Sequence, residues 1–208
     1  MPVSRSEGWP DARPGSPVGP LDRLREWYEE AVAAGLPEPE AMALATASRD
    51  GMPSVRIVLL KGIDERGLRF FTNYDSRKGR ELDANPRAAV TMHWQPMRRA
   101  VRAEGSVERL SEEESDAYFA SRGRGSRLGA WASRQGTPIS SREALEAALA
   151  DASERYPGDD VPRPEYWGGY RLVPDAIELW QGRPNRLHDR EHFLREPDGS
   201  WRAERLSP

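Results

Sequence analysis

The sequence predicts a mainly β chain with helical additions, folded as an antiparallel barrel. Between residues 41 and 110, short apolar runs follow one another, and turn residues such as Asp50-Gly51 separate them. After residue 110, two segments show the Ser-x-x-Glu spacing of a helix start. Many short strands with interspersed helices are typical of a barrel carrying extra helices, although the strand count fits a β-sandwich equally well.

Length, charge and cysteine content bound the class of protein. The 208 residues suit one domain, predicted to span residues 20–208. The net charge of −3 gives no overall drive toward nucleic acid or an anionic membrane, and the lack of cysteine excludes disulfides and thiolate chemistry. No apolar run approaches the roughly 20 residues that span a bilayer, and the first residues carry no signal peptide. We therefore expect a cytoplasmic protein with neither nucleic acid nor membrane as a partner.

The N-terminal part of the chain predicts a tail and then a helix. Residues 1–19 are rich in proline and glycine and poor in apolar side chains, which predicts a flexible tail. Pro20 suits the first turn of a helix, and apolar residues recur at helical spacing from there to Gly35. We predict one amphipathic helix, whose aromatic residues pack in the core.

The middle of the chain predicts five strands and one helix. The helix covers residues 76–85, because Ser76 suits the N-cap and Pro86 forces an end nearby. The predicted strands are residues 41–48, 55–61, 68–72, 88–94 and 100–110.

Beyond residue 110 the sequence predicts two helices and then a return to strands. Ser111 with Glu114 opens a helix that ends near residue 121, and Ser140 with Glu143 opens another that ends near residue 156. A loop rich in glycine and arginine is predicted for residues 122–127. The final predicted strands are residues 167–173, 176–180, 193–196 and 201–206, the last two joined by a turn.

A first candidate anion site is Ser76-Arg77-Lys78, at the start of the predicted middle helix. Free backbone N–H groups, the positive end of the helix dipole and two cations favour a phosphate there. A capped helix with solvated basic residues is the alternative. Arg56 and Lys61 flank the apolar run of a nearby strand, but strand alternation puts their side chains on opposite faces.

A second candidate lies in the segment Trp180–Arg190, in which a glycine and a proline end the preceding strand. If its last residues are extended, Arg186, His188 and Arg190 share one face, and Leu187 turns into the core. Two guanidinium groups and an imidazole suit an anionic ligand, because guanidinium pairs with phosphate in a bidentate fork. A solvated edge strand is the alternative.

Other kinds of site are not indicated. The sequence has no glycine-rich nucleotide loop and no Gly-x-Ser-x-Gly elbow, and its three histidines lack a zinc spacing. We predict neither a metal site nor hydrolase chemistry. Residues 122–127 are too few, and too poor in aromatic side chains, for an RNA-binding segment.

Eight short sequence motifs follow one another along the chain. They are R-I-V-L-L-K at Arg56–Lys61, F-T-N at Phe71–Asn73, S-R-K at Ser76–Lys78, Y-F-x-S-R at Tyr118–Arg122, G-A-W-A-S at Gly129–Ser133, W-G-G-Y-R at Trp167–Arg171, R-L-H-D-R at Arg186–Arg190, and the closing R-L-x-P. From about Ala41 to Pro208, this series resembles the pyridoxine/pyridoxamine 5′-phosphate oxidase family. One motif alone is weak evidence, whereas the ordered series is specific.

The resemblance implies a split β-barrel that forms a homodimer and binds flavin mononucleotide (FMN) in the groove between subunits. It implies an oxidase that converts pyridoxamine or pyridoxine 5′-phosphate to pyridoxal 5′-phosphate. The flavin would accept a hydride, and dioxygen would reoxidise it to give hydrogen peroxide. The implied flavin contacts are Arg56, Ile57, Val58, Leu59, Leu60, Lys61, Phe71, Thr72, Arg77, Lys78, Gln135, Trp180 and Arg190. The implied contacts of the substrate phosphate are Lys61, Tyr118, Arg122 and Ser126, and the implied catalytic contacts near the substrate ring are Arg186 and His188.

The chain departs from the family pattern at a few positions. Ala100 stands where the family usually has a glutamine that hydrogen-bonds the flavin ring, and alanine makes no such bond. Gly136 replaces a serine, and the N-terminal segment lacks the residues that usually cover the substrate. Two alternatives therefore stay open. One is an oxidase of the same fold that acts on another ring, as in phenazine biosynthesis. The other is a non-catalytic barrel that binds flavin or another ligand.

Overall fold

The computed structural model describes residues 19–208, so the tail predicted for residues 1–19 lies, except for Gly19, outside the described residues. Within this range nine strands form one sheet, accompanied by five α-helices. The strands are β1 (Ala41–Ala47), β2 (Pro53–Leu59), β3 (Gly62–Asp64), β4 (Gly67–Asn73), β5 (Arg87–Trp94), β6 (Arg99–Arg109), β7 (Trp167–Gln181), β8 (Asp189–Arg195) and β9 (Trp201–Arg205). The helices are α1 (Pro20–Ala33), α2 (Arg77–Ala84), α3 (Glu112–Ser121), α4 (Arg124–Ala132) and α5 (Arg142–Arg155).

The sheet curls into a split barrel around one main core. Its strands are antiparallel and run in the order β2-β1-β5-β6-β7-β4-β3, while β8 and β9 extend from β7. Strand β2 also contacts β4, although four strands separate them in the sheet, so the sheet closes partly on itself. Inward side chains such as Leu44, Phe70 and Leu179 fill the core, and α1 adds Leu24 and Trp27. The predicted barrel with helical additions is confirmed.

The helix starts follow the capping residues, with one shift. The Ser76 hydroxyl accepts from the Gly79 N–H at the start of α2, and Ser111 forms the predicted capping box with Glu114 at the start of α3. The cap predicted at Ser140 is wrong by one residue, because Ser141 accepts from Ala144. None of the helices that residues 19–208 form has the length and apolar character needed to cross a bilayer.

The loop predicted for residues 122–127 is wrong over most of its length, because α4 begins at Arg124. The helix is stabilised by packing that its own composition does not reveal. Leu128 of α4 is buried against Ala152 of α5 and Val161, in a small core separate from that of the barrel. Glycine and arginine therefore form a helix here because α5 covers its one apolar face.

The two strands predicted at residues 167–173 and 176–180 form one strand, β7, which includes Pro174. A bulge makes this possible: Glu104 pairs with Ala176 and Gly105 with Pro174, so one residue of β7 has no partner. A side chain at position 105 would begin 2.0 Å from the Val173 carbonyl oxygen, so only glycine fits. The three-residue strand β3 was not predicted.

The extended conformation predicted for residues 186–190 is wrong in its first half. Residues Pro184–Arg186 form a 3₁₀ turn, in which Asn185 and Arg186 have φ of 59° and 62°. Proline fixes its own φ, and asparagine tolerates the left-handed region, so the chain turns before β8 begins at Asp189. Leu187 is 68% exposed rather than turned into the core.

Candidate functional site

A cavity of about 510 Å³ lies between the sheet and the helices α2, α3 and α4. It combines apolar side chains of β2, an aromatic wall and several cations. Its lining residues are Ile57, Val58, Leu59, Lys61, Phe71, Thr72, Asn73, Lys78, Tyr118, Arg122, Ser126, Gly129, Ala130, Ser133, Gln135 and Trp167. The exposed Ile57 and Leu59 alternate with the buried Val58, as the strand pattern predicts.

Three stacked aromatic rings form one wall of the cavity. The ring centroids of Phe71 and Tyr118 are 3.8 Å apart, and that of Trp167 lies 5.6 Å from Phe71 with nearly parallel planes. The Arg122 guanidinium lies 4.8 Å over the Trp167 ring. Its Nη1 atom is buried and has no hydrogen-bond partner among the described residues. A buried guanidinium nitrogen without a partner favours an anionic ligand at this wall.

Lys78 is the most buried cation of the cavity, with 7% of its surface exposed. Its ammonium group donates to the Ser76 hydroxyl over 3.1 Å and to Gln135 Oε1 over 2.8 Å. Burial lowers the pKa of Lys78 to about 8, and repulsion from Arg56 adds to this. Among residues 19–208 no carboxylate pairs with Lys78, so a bound anion would supply the missing countercharge.

The start of α2 holds Lys78 against the end of β4. Ser76 bridges the two elements, because its hydroxyl donates to the Asn73 carbonyl and accepts from the Gly79 N–H. A side chain at position 79 would begin 1.9 Å from the Tyr74 carbonyl oxygen. Glycine at that position therefore lets the helix start directly against the strand end, where its free N–H groups adjoin the cavity.

Glu81 gathers polar groups from β1, β2 and α2 around one buried carboxylate. It accepts from the hydroxyls of Thr46 and Ser54, each over 2.5 Å, and from Arg77 Nε over 2.8 Å. Arg56 lies 3.3 Å from the same carboxylate. Burial raises the pKa of Glu81, but the hydrogen bonds from Ser54 and Thr46 and the Arg77 charge outweigh it and hold the pKa at about 2. The Glu81 carboxylate is therefore anionic at any ordinary pH.

Arg56 does not line the cavity, because its guanidinium is used inside the fold. Nη1 donates to the Leu44 carbonyl and to Thr46, and Nη2 donates to Ser54 and lies near Glu81. Lys61, by contrast, lines the cavity just beyond the end of β2.

A second group of predicted site residues lies at the far end of β7 and in β8. The rings of Trp180 and His188 are 4.6 Å apart, and His188 Nδ1 accepts from the Arg183 N–H over 3.1 Å. Arg190 makes a bidentate pair with Glu178, at 2.8 and 3.0 Å. Because Nδ1 accepts, neutral His188 carries its proton on Nε2 and can donate it.

The structure brings together most, but not all, of the predicted site residues. The cavity collects eleven of them: Ile57, Val58, Leu59, Lys61, Phe71, Thr72, Lys78, Tyr118, Arg122, Ser126 and Gln135. Leu60 is buried in the core, and Arg56 and Ser76 lie behind the cavity wall, next to Glu81 and Lys78. Arg77 does not line the cavity either, but its side chain is 61% exposed at the start of α2. Trp180, Arg186, His188 and Arg190 are not part of the wall that the described residues form. The roles predicted for all of these residues stay predictions.

Sequence reasoning missed several residues of the site. The cavity is also lined by Gly129, Ala130, Ser133 and Trp167. The sequence motifs at residues 129–133 and 167–171 contain these four residues and could have identified them. Asn73 closes another motif. Glu81 was missed as well, and its only signal is a position four residues after Arg77 on one helix face.

Two family models match this chain. Residues 28–156 match the model described as pyridoxamine 5′-phosphate oxidase, and residues 167–208 match that of the pyridoxine 5′-phosphate oxidase C-terminal dimerisation region. The chain belongs to the pyridoxamine 5′-phosphate oxidase family. It is therefore an enzyme of this family's flavin oxidoreductase type.

Individual relatives of the pyridoxamine 5′-phosphate oxidase family match along nearly the whole chain. A pyridoxine/pyridoxamine 5′-phosphate oxidase of Cupriavidus necator is 57% identical over 189 residues, which cover 91% of this chain and 89% of the relative. One of Rubrobacter xylanophilus is 58% identical over 197 residues, 95% of this chain and 90% of the relative.

Two solved structures agree with the fold. PhzG from Burkholderia lata, in complex with tetrahydrophenazine-1-carboxylic acid, superposes with a TM-score of 0.87 at 34% identity, covering 92% of this chain and 94% of PhzG. A related FMN-binding protein from Nostoc punctiforme gives a TM-score of 0.74 at 20% identity, covering 93% of this chain and all of its own, and supports the fold alone.

Proposed function

We propose that this protein is an FMN-dependent oxidase of pyridoxamine and pyridoxine 5′-phosphate, with pyridoxal 5′-phosphate and hydrogen peroxide as products. The observation that carries the proposal is the convergence of Lys61, Tyr118, Arg122 and Ser126 on one cavity. Two cations and two hydroxyl groups suit a dianionic phosphate. Relatives at 57–58% identity that carry the oxidase name add support.

The residues present also fit FMN. The cavity offers the buried Lys78, which has no carboxylate partner among the described residues. It also offers the free N–H groups at the start of α2 and apolar side chains of β2. Arg77 stands beside them with most of its side chain exposed. When bound, FMN would take up the hydride from the substrate and pass the electrons to dioxygen.

The role of the protein's own side chains would be to bind and to orient. Lys61 and Arg122 would neutralise the substrate phosphate, and Tyr118, held by its stack on Phe71, would donate to it. Arg186 would hold the substrate ring, and His188 would donate from Nε2 to a ring substituent. Close and aligned approach is what hydride transfer requires, so these contacts would set the rate.

We further propose that a second copy of the chain completes the site. Arg186, His188, Trp180 and Arg190 lie apart from the cavity of their own chain, in the region matched by the dimerisation model. Strand β2 exposes Val55, Ile57 and Leu59, with 69%, 64% and 39% of their surfaces accessible, and the last two also line the cavity. Such an apolar strip is typical of a surface that another subunit covers. Sedimentation should therefore give about twice the chain mass of 23.4 kDa, whereas an FMN-loaded monomer would contradict this proposal.

The test is a steady-state assay of the purified protein with added FMN. Pyridoxamine and pyridoxine 5′-phosphate are each supplied in air, and oxygen uptake, peroxide and aldehyde are measured. We expect equal amounts of aldehyde and peroxide, and competitive inhibition by inorganic phosphate. FMN binding without turnover of either substrate would instead support the non-catalytic barrel.

A second candidate is oxidation of a ring that carries a carboxylate. The structure of PhzG with tetrahydrophenazine-1-carboxylic acid, similar over 92% of this chain, favours it. The same assay with that compound as substrate separates the two candidate functions. A substrate that carries a carboxylate does not need the four side chains proposed to bind phosphate, so inorganic phosphate should not compete with it. Turnover that is insensitive to inorganic phosphate would support this candidate.

A further inference from the structure

We infer that Glu81 is a positioning residue for the FMN phosphate: it orients the Arg77 guanidinium toward the ligand and compensates the charge of Arg56 behind it. This inference rests on the proposed FMN-dependent function. It goes beyond that function because Glu81 itself would touch neither FMN nor substrate.

Both oxygens of the Glu81 carboxylate are used within the protein. Oε1 accepts from Arg77 Nε at 2.8 Å, and Oε2 accepts from Thr46 and Ser54 at 2.5 Å each. Only 7% of Glu81 is exposed. The carboxylate is therefore held by β1, β2 and α2 at once, and it points at Arg77 from a fixed place.

The contact with Glu81 uses only one of the nitrogens of Arg77. The side chain of Arg77 is 61% exposed, and among residues 19–208 no group accepts from its two terminal nitrogens. Fixing Nε fixes the plane of the whole guanidinium, because the group is rigid. The two terminal nitrogens are thereby left as a preformed fork next to the start of α2, where phosphate binds best.

The charges around Glu81 favour the same role. Arg56, Arg77 and Lys78 lie close together, and Glu81 is their one carboxylate partner among the described residues. Without it, mutual repulsion would move the two arginines apart. With it, Arg56 and Arg77 stay in place and a net positive charge remains toward the cavity. The purely structural alternative is that Glu81 only ties α2 to β1 and β2.

Binding of FMN and of riboflavin, which lacks the phosphate, separates these two roles. Apo-protein is prepared from the full chain and from Glu81→Gln, and each is titrated with both flavins by fluorescence. We expect Glu81→Gln to raise the Kd of FMN about tenfold, as for a lost contact of a charged group, and to leave the Kd of riboflavin within about twofold. A structural role would weaken both flavins alike.

Two further variants sharpen the comparison. If Glu81 acts through Arg77, the double variant Glu81→Gln/Arg77→Ala should bind FMN no more weakly than Arg77→Ala alone. The matched control is Glu114→Gln, whose carboxylate pairs with the buried Arg171 and does not line the cavity. It should change neither Kd. If Glu81→Gln lacks a cooperative melting transition, Glu81→Asp replaces it with the same expected ratio.

The outcomes distinguish the inference from the function on which it rests. Failure of the parent protein to bind FMN would refute the proposed function. Binding of FMN by the parent, together with equal losses for both flavins or with no loss in the variants, would refute the role of Glu81 and leave the function standing.

Discussion

Lys78 and Thr72 share one acceptor, because both donate to Oε1 of Gln135, over 2.8 and 3.0 Å. This oxygen joins the first turn of α2 and the end of β4 to the segment that follows α4. It is a neutral partner for a cation. Lys78 therefore keeps its low pKa of about 8 until an anion reaches it.

The affinity for FMN should fall as pH rises above 8. An anionic phosphate favours protonated Lys78, so binding above a pKa of about 8 requires uptake of a proton. The phosphate itself stays dianionic in this range, because its second pKa is about 6. We expect the Kd to rise about tenfold between pH 7 and pH 9, measured by flavin fluorescence.

The matched control for this prediction is Lys78→Arg. Guanidinium keeps its charge throughout the range, so the Kd of this variant should be flat between pH 7 and pH 9. A flat profile in the parent protein would mean that no phosphate binds at Lys78.

Arg186→Ala and His188→Ala should each slow oxidation of pyridoxine 5′-phosphate by roughly tenfold or more, while the FMN content stays near that of the parent. Neither side chain lines the cavity of its own chain, so loss of either leaves the wall of that cavity unchanged. Turnover and flavin absorbance are measured on the same samples. Arg195→Ala, at the exposed end of β8, serves as the control and should behave as the parent. If both variants oxidise the substrate at the rate of the parent, residues 186–190 are only an edge of the fold and take no part in catalysis.

Arg171→Leu should lower the free energy of unfolding by about 2–4 kcal/mol. Arg171 is 1% exposed and donates to Asp64, Glu108 and Glu114 over 3.0–3.1 Å, so its removal leaves three carboxylates without their cation. Glu108 and Glu114 are partly exposed and recover some water, which keeps the loss below that of a fully buried pair. Urea unfolding measures the change. The control is Arg202→Leu, which removes a half-exposed arginine that pairs with Glu196 and Glu204. This change should lower the free energy of unfolding by no more than about 1 kcal/mol.

The same cluster should make stability fall in acid. Burial raises the pKa of Asp64, but the hydrogen bond and charge of Arg171, with the Arg66 and Gly67 N–H groups, outweigh this and leave the pKa below its ordinary value of 3.8. Burial also raises the pKa of Glu114, but the Ser111 N–H and then Arg171 outweigh it and leave the pKa below 4.5. Carboxyl groups with a lowered pKa stabilise the fold above those values, and their contribution is lost as pH falls through the lowered pKa. Between pH 5 and pH 2, roughly, Arg171→Leu should therefore lose less stability than the parent. A parallel decline in both proteins would exclude the cluster as the cause.

Ala100→Gln should tighten FMN binding by about 0.5–1.5 kcal/mol, the range of one neutral hydrogen bond. Ala100 pairs in register with Trp180, a predicted flavin contact, and with His93 on the other side. A glutamine there would add a donor to the second group of site residues. Fluorescence titration with FMN checks the change. An equal or weaker affinity would show that position 100 does not face the flavin.

The sequence predicted those features of the site that depend on residues close together in the chain. The cap at Ser76, the start of α2 and the alternation along β2 depend on neighbouring residues, and each is confirmed. The capping box of α3 belongs to the same group. Such features are readable because the interacting groups lie within four residues of one another.

Features that depend on distant packing were missed. Helix α4 is stabilised by α5, which covers Leu128, and the short β3 is stabilised by its pairing with β4. Glu81 was missed because its hydroxyl partners Thr46 and Ser54 lie 35 and 27 residues earlier in the chain. The extended conformation predicted around Leu187, with side chains on alternate faces, does not form because the chain turns at Pro184–Arg186.

The length of β7 has one further consequence. This 15-residue strand carries Trp167 of the cavity near one end and Trp180 of the second group near the other, roughly 43 Å apart along the strand at about 3.3 Å per residue. If two chains complete each other's sites, two different inactive chains can rescue one another. A mixture of Lys78→Ala and Arg186→Ala chains, unfolded and refolded together, would form hybrid dimers that hold one intact site each, and random pairing would restore about a quarter of the parent activity.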